Sequence, residues 1–197
     1  KAFQQHGDGE PHLFYFDNGN TRAINVVMKR DIADCEHFTG KIATDTWYDL
    51  STPYGYGGLL LDGYDIDELN EEYTAYCLDN NVVSEFVRFH PLAGNANFLS
   101  GLYDITELGK TVHIDLHDAD AIWGDFSGKN RNAIRKARKL GVEIYWGRSP
   151  RLFSRFKAMY NQTMDAQNAD SYYYFGDGFY YSILNYLKNN VMIFYAT

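Results

Sequence analysis

The chain has 197 residues, 45% apolar and 17% aromatic, enough to bury one good core or a complete domain and part of a second. Its net charge of −8 argues against a general coat for nucleic acid or membrane, since long-range attraction to phosphate needs the opposite sign. Two cysteines, Cys35 and Cys77, provide neither a disulfide framework nor a metal-type cluster; no stretch approaches the ~20 apolar residues of a membrane span and the amino end has no signal core, so a reducing, cytoplasmic setting is expected.

Taken in chain order, Ala23 to Lys29 and Ile42 to Leu50 read as strands, rich in β-branched and aromatic residues between Gly/Asn or Asp clusters. A glycine corner, Tyr54-Gly55-Tyr56-Gly57-Gly58, leads into Leu59 to Leu61. Asp65 or Asp67 then caps a helix to about Asn80, with Leu69, Tyr73, Tyr76 and Cys77 facing inward. Val82 to Phe89 is the next predicted strand, with Val87 and Phe89 on one face, Arg88 and His90 on the other, and Pro91 closing it. Val112 to Leu116 reads as a further short strand. Asp118 or Asp120 opens a helical stretch with Ala119, Ile122, Trp123 and Phe126 at core spacing, broken at Ser127-Gly128.

Charge is sorted along this order: residues 1–128 carry 7 Lys+Arg against 22 Asp+Glu, whereas 129–157 carry 10 against 1. Ser127 is placed to cap a basic helix that buries Ala133, Ile134, Ala137 and Leu140, ends at Gly141, and keeps its cations on the opposite face. A strand from Val142 to Trp146, a helix opened by Ser149-Pro150, a helix from Phe179 to Leu187 and a final strand from Val191 complete the reading. The chain starts without Met and stops on that apolar run with no turn after it, which reads as a fragment of something longer.

Within the basic helix, Arg138 and Lys139 occupy the last turn, where the helix dipole favours cations and no further account is needed. Lys129 and Arg131 occupy the first turn, where the dipole disfavours each by about 0.3–1 kcal/mol and free amides already form an anion site. A phosphate or carboxylate there would meet Lys129 as a point charge and Arg131 or Arg135 as a fork. A solvated face balancing the acidic first half explains the same composition. The glycine corner suits either close approach to a ligand or a tight turn; it lacks the Lys-Ser/Thr of a P-loop and the spacing of a dinucleotide fingerprint. His90 is more readily a structural strand residue than an acid or base, and local spacing singles out no nucleophile triad, no catalytic base and no metal site.

Together, Tyr54-Gly55-Tyr56-Gly57-Gly58, Val87-Arg88-Phe89-His90-Pro91-Leu92 with Asn95, Trp123, and Phe126-Ser127-Gly128-Lys129-Asn130-Arg131-Asn132 with Ile134-Arg135-Lys136-Ala137 resemble Fem-type peptidyltransferases. These build peptidoglycan cross-bridges and look like a branch of the GNAT acyltransferases. The resemblance implies an α+β fold of GNAT-like domains, each a mixed sheet flanked by helices. Residues 1–117 would form the first, and 118–197 would begin a second that continues past Thr197. It implies aminoacyl transfer to a peptidoglycan precursor, with aminoacyl-tRNA or acyl-CoA as donor substrate, transfer RNA as a partner and no permanently bound cofactor. It assigns Lys129, Arg131 and Arg135 to the precursor's diphosphate, and Tyr54, Tyr56, Arg88, His90 and Trp123 to the substrate groove. Rival readings are a GNAT N-acyltransferase using acyl-CoA and a non-catalytic phosphate- or nucleic-acid-binding module, the latter binding generic RNA in a salt-sensitive way.

Overall fold

The computed structural model describes residues 2–197. It divides into two compact units, Lys1–Leu108 and Gly109–Thr197.

The first unit is built on a mixed sheet. A short helix, α1 (Ala2–His6), precedes β1 (Glu10–Asp17), which pairs antiparallel along its whole length with β2 (Arg22–Asp31). The turn between them is held by side chains: Asp17 accepts from the Gly19 amide, and Asn18 accepts from the amides of Asn20 and Thr21. The other edge of β2 serves two partners, β4 (Leu60–Asp62) at its start and β3 (Tyr48–Ser51) at its end, both antiparallel. A parallel strand, β5 (Val82–Phe86), pairs with β3 after the crossover helix α2 (Ile66–Asp79), as a parallel connection requires. The mixed sheet with its flanking helix places the chain in the α+β class.

Alternation decides which face is buried. Phe14 and Phe16 of β1 and Ala23 of β2 point to one side, where they pack with Leu59, Leu69, Tyr73 and Leu99. Leu69 and Tyr73 of α2 are fully enclosed, with Tyr76 and Cys77 half-buried beside them, as the helical spacing predicts.

The sequence reading differs from this unit in four places. It has no helix over Ala2–His6, where α1 forms. It has no strand over Glu10–Asp17, although the alternation of Leu13 and Tyr15 with Phe14 and Phe16 ahead of Asp17-Asn18-Gly19-Asn20 carries that signal. The strand predicted from Ile42 begins only at Tyr48: Asp31 Oδ2 accepts from the Asp45 amide, and Asp45 takes φ +57°, so the preceding residues turn instead of extending. The strand predicted to Phe89 leaves the ladder after Phe86 and continues against the glycine corner.

In the second unit, residues 109–117 form no regular element. The strand predicted over Val112 to Leu116 is absent: Val112 and Leu116 are more than three-quarters exposed, and no neighbouring strand supplies a ladder for the segment. Asp118 caps α3 (Ala119–Asp125) by accepting from the amides of Asp120 and Ala121. Ser127 caps α4 (Gly128–Lys139), accepting from Asn130 N at 3.2 Å. At its other end Gly141, φ +82°, lets Val142 N reach back to Ala137 O, the stop expected of a C′ glycine. The strand β6 (Ile144–Gly147) pairs antiparallel with β7 (Ile193–Ala196). Between them lie α5 (Pro150–Ala166), capped by Ser149, and α6 (Asp177–Tyr186). The core of this unit is aromatic: Phe153, Phe175, Phe179 and Tyr180 are buried, Phe175 and Phe179 stack at 4.4 Å, and Phe179 meets Tyr180 edge-on at 5.4 Å.

The burial of α4 corrects the predicted stripe. Ile134 and Ala137 are half-buried, but Ala133 is exposed and Leu140 is 73% exposed, while Arg131 joins the half-buried row. The inward face is therefore Arg131-Ile134-Ala137, rotated by about one residue, because Arg131 is drawn in by bonds described below.

Candidate functional site

The sequence-predicted residues fall into two groups, one in each unit. In the first unit, the glycine corner and the segment after β5 come together. Gly57 N donates to Arg88 O at 2.9 Å, and Gly57 bridges Phe89 in parallel. Thr52 reinforces this by accepting from Arg88 N through Oγ1 at 3.2 Å. Asn95, 5% exposed, donates from Nδ2 to the carbonyls of Gly57 and Leu59 at 3.0 and 3.2 Å. Gly58 takes φ +87°, and a Cβ there would sit 2.8 Å from Val87 Cγ1 and 2.9 Å from Phe89 Cδ1. This glycine is required by close approach of the protein to itself, whatever else the corner does.

Around this knot, Tyr54 and Tyr56 are half exposed, and Arg88 and His90 are exposed, opposite the inward Val87 and Phe89. Tyr56 meets the His90 ring edge-on at 5.8 Å. His90 Nδ1 accepts from the amides of Leu92 and Ala93, each at 3.2 Å. With Nδ1 accepting, the neutral ring carries its proton on Nε2 and presents a donor; a base would need that nitrogen bare.

In the second unit, Arg131 Nη1 donates toward the carbonyls of Trp123, Gly124 and Phe126 at 3.3, 2.9 and 2.6 Å. These are the unpaired carbonyls at the end of α3, so a guanidinium on the first turn of α4 satisfies the terminus of the preceding helix. Arg135 lies over the Trp123 ring at 5.4 Å and donates to Asn132 Oδ1 at 3.3 Å; Trp123 in turn packs edge-on against Phe126. Lys129 is exposed. Among the described residues the amides of Gly128 and Lys129 take no backbone or cap partner, Ser127 Oγ being used by Asn130 and its carbonyl by Arg131 N. The start of α4 thus offers two donors and the exposed cation Lys129, with Arg131 fixing the first turn and the exposed Arg135 one turn further along, over the Trp123 ring.

Sequence reasoning passed over one cluster. Glu85, the sole carboxylate in the Val82 to Phe89 run, accepts from Asn25 Nδ2 at 3.0 Å, Tyr73 Oη at 2.9 Å and Tyr103 Oη at 2.7 Å. Burial, and then the charge of Glu85, push both tyrosine hydroxyls far above their ordinary value, so both remain donors. Burial likewise pushes the nearby Cys77 thiol up to about 11. The lone carboxylate in a predicted strand run was the available signal.

Residues 103–197 match the model of the FemAB family. Over this segment, just under half of its length, the chain is similar to the FemAB family. No curated protein and no solved structure shows a significant match to the chain. The matched segment contains α3, α4 and the whole Trp123-Arg131-Arg135 arrangement, and begins at Tyr103, which bonds Glu85. The glycine corner and residues 87–95 lie ahead of it. Among the described residues no helix is long and apolar enough to cross a membrane, and no group of three His, Cys, Asp or Glu side chains could hold a metal ion.

Proposed function

We propose that this chain serves aminoacyl transfer from transfer RNA to an amine of a peptidoglycan precursor, the cross-bridge chemistry of Fem-type enzymes, and that the first turn of α4 holds the precursor's diphosphate. The observation that carries this reading is an exposed cationic helix start inside the FemAB segment, with Gly128 and Lys129 amides free. Lys129 supplies a point charge and Arg135 a planar fork there, while Arg131 holds the turn and keeps its remaining nitrogens available to the same anion. Tyr54, Tyr56, Arg88, His90 and Trp123 are proposed groove contacts, His90 as an Nε2 donor.

Transfer of an acyl group to an amine requires the two substrates to be aligned and the developing oxyanion to be stabilised. Anchoring the diphosphate serves the first requirement, since a held phosphate fixes the rest of the precursor relative to the protein. The GNAT-like character of the fold belongs to this same proposal, as does aminoacyl-tRNA as donor.

Titration with a nucleotide-linked peptidoglycan precursor in a calorimeter tests the site. Lys129→Gln and Arg135→Gln are each expected to weaken binding about tenfold, the loss of one charge-assisted contact. Arg138→Gln, on the last turn, should change little. Unchanged affinity in both the Lys129 and the Arg135 variants would remove the site. Product mass after incubation with precursor and either aminoacyl-tRNA or acetyl-CoA tests the donor; transfer from acetyl-CoA alone would overturn the Fem-type reading in favour of a GNAT N-acyltransferase.

A further inference from the structure

A cavity of about 690 Å³ opens in the first unit between α2, β5 and residues 102–108, and Glu85, Tyr73 and Tyr103 stand in its wall. Its apolar surface comes from Val87, Phe89, Leu102 and Leu108. Two of its lining residues are carboxylates, Glu85 and Asp104, and none is Lys, Arg or His. Among the described residues Glu85 has no ion-pair partner.

The hydrogen bonds of the cluster leave a definite deficit. Asn25 Nδ2 gives its two hydrogens to Tyr73 Oη and Glu85 Oε1, and the Tyr73 and Tyr103 hydroxyls both give theirs to Glu85 Oε2. Every side-chain hydrogen of the cluster is used. What remains is acceptor capacity: a lone pair on Glu85 Oε1, one on Tyr103 Oη, and Asn25 Oδ1, which is buried without a partner. A half-buried anion with spare lone pairs, beside apolar wall and aromatic rings, lacks two things, positive charge and further N–H donors.

We propose that this cavity binds a primary ammonium group carried on an aliphatic chain, with the ammonium on Glu85 and the chain against Val87, Phe89, Leu102 and Leu108. An ammonium brings up to three donors and one positive charge, while the tyrosine rings attract a cation and the hydrocarbon wall takes the methylenes. A carboxylate ligand would meet two negative charges and no free donor in the cluster. A neutral alcohol would supply one hydrogen and no charge. This inference concerns the first unit and stands apart from the diphosphate proposal, which can fail without affecting it.

The two cysteines make the cavity readable in the intact chain, because Cys77 lines it and Cys35 does not. Iodoacetamide labelling at mildly alkaline pH, followed by mass spectrometry of each cysteine peptide, should show n-butylammonium slowing the alkylation of Cys77 in a saturable way. Cys35, which is exposed, should be unaffected. n-Butanol and butyrate should not protect Cys77 at the same concentrations. Glu85→Gln keeps an acceptor for the tyrosines, and should weaken protection about 30-fold or more, the consequence of removing one partner of a desolvated charge pair. Nα-acetyl-lysine amide serves as a second probe: protection tighter than n-butylammonium identifies an amino-acid side chain as the better ligand, and weaker protection identifies a free alkylamine. Absence of saturable protection in the unmodified chain, or equal protection by n-butanol, would overturn the proposal without recourse to any variant.

Discussion

Arg131 shows how one side chain can change the meaning of a motif. By composition it is one of six cations on a basic helix; in the fold its Nη1 closes the carboxyl end of α3 through the carbonyls of Trp123, Gly124 and Phe126. Replacing it with Ala leaves those carbonyls to water and releases the α3–α4 junction. The expected cost is about 1–2 kcal/mol, at the lower part of the range for bonds to a charged donor because Arg131 is half exposed. Arg138→Ala, on the exposed last turn, should cost less than about 0.5 kcal/mol. Urea unfolding followed by tryptophan fluorescence checks the difference, Trp123 lying beside the lost contact. Equal effects of the two substitutions would show that the carbonyl bonds add nothing. Neither these bonds nor the Glu85 cluster could be found by spacing, because Arg131 acts across a helix break and Glu85 reaches Asn25, sixty residues away along the chain.

At the scale of elements, local rules succeeded where the determinant lies within a few residues. Ser127, Asp118 and Ser149 cap the helices they precede, and Gly141 ends α4. They failed where an element needs a distant partner: Val112 to Leu116 has strand propensity but no ladder, and residues 87–89 pair with the glycine corner instead of extending β5. The corner itself was legible as glycine-rich but not as to purpose. Gly58→Ala is expected to destabilise the first unit by about 2–4 kcal/mol, combining a left-handed backbone angle with a Cβ driven into Val87 and Phe89. Gly55→Ala, at φ +119° with open space around it, should cost only the backbone part, about 1–2 kcal/mol. Denaturant midpoints of the two variants check this. Equal midpoints would mean that the corner does not pack as tightly as Gly58 requires.

At the scale of the whole molecule, acidity and basicity are divided between the two units, most of the acidic excess lying before residue 109 and the basic run after it. Between them, residues 104–120 are exposed throughout and carry no helix or strand hydrogen bonds until α3 begins. Exposed chain without ladder or helix bonds fits a protease cleft most easily. Brief trypsin treatment is therefore expected to cut first after Lys110, giving two fragments whose boundary falls near that between the units. First cleavage after Arg131 or Lys129, inside α4, would contradict this.

The sequence by itself determined the caps of α3, α4 and α5, the stop of α4, the position of the basic helix, and a resemblance that implies the fold class and that the match over residues 103–197 supports, because caps and charge runs are local properties of the chain. Only the tertiary structure decided which glycine is indispensable, that His90 presents Nε2–H, that Arg131 looks back to α3, and that Glu85 is gathered with Asn25, Tyr73 and Tyr103 at the wall of a cavity. Those outcomes depend on hydrogen-bond partners brought from distant positions by the register of the sheet and the packing of α2, and the energy of such contacts exists only once the chain has closed on itself.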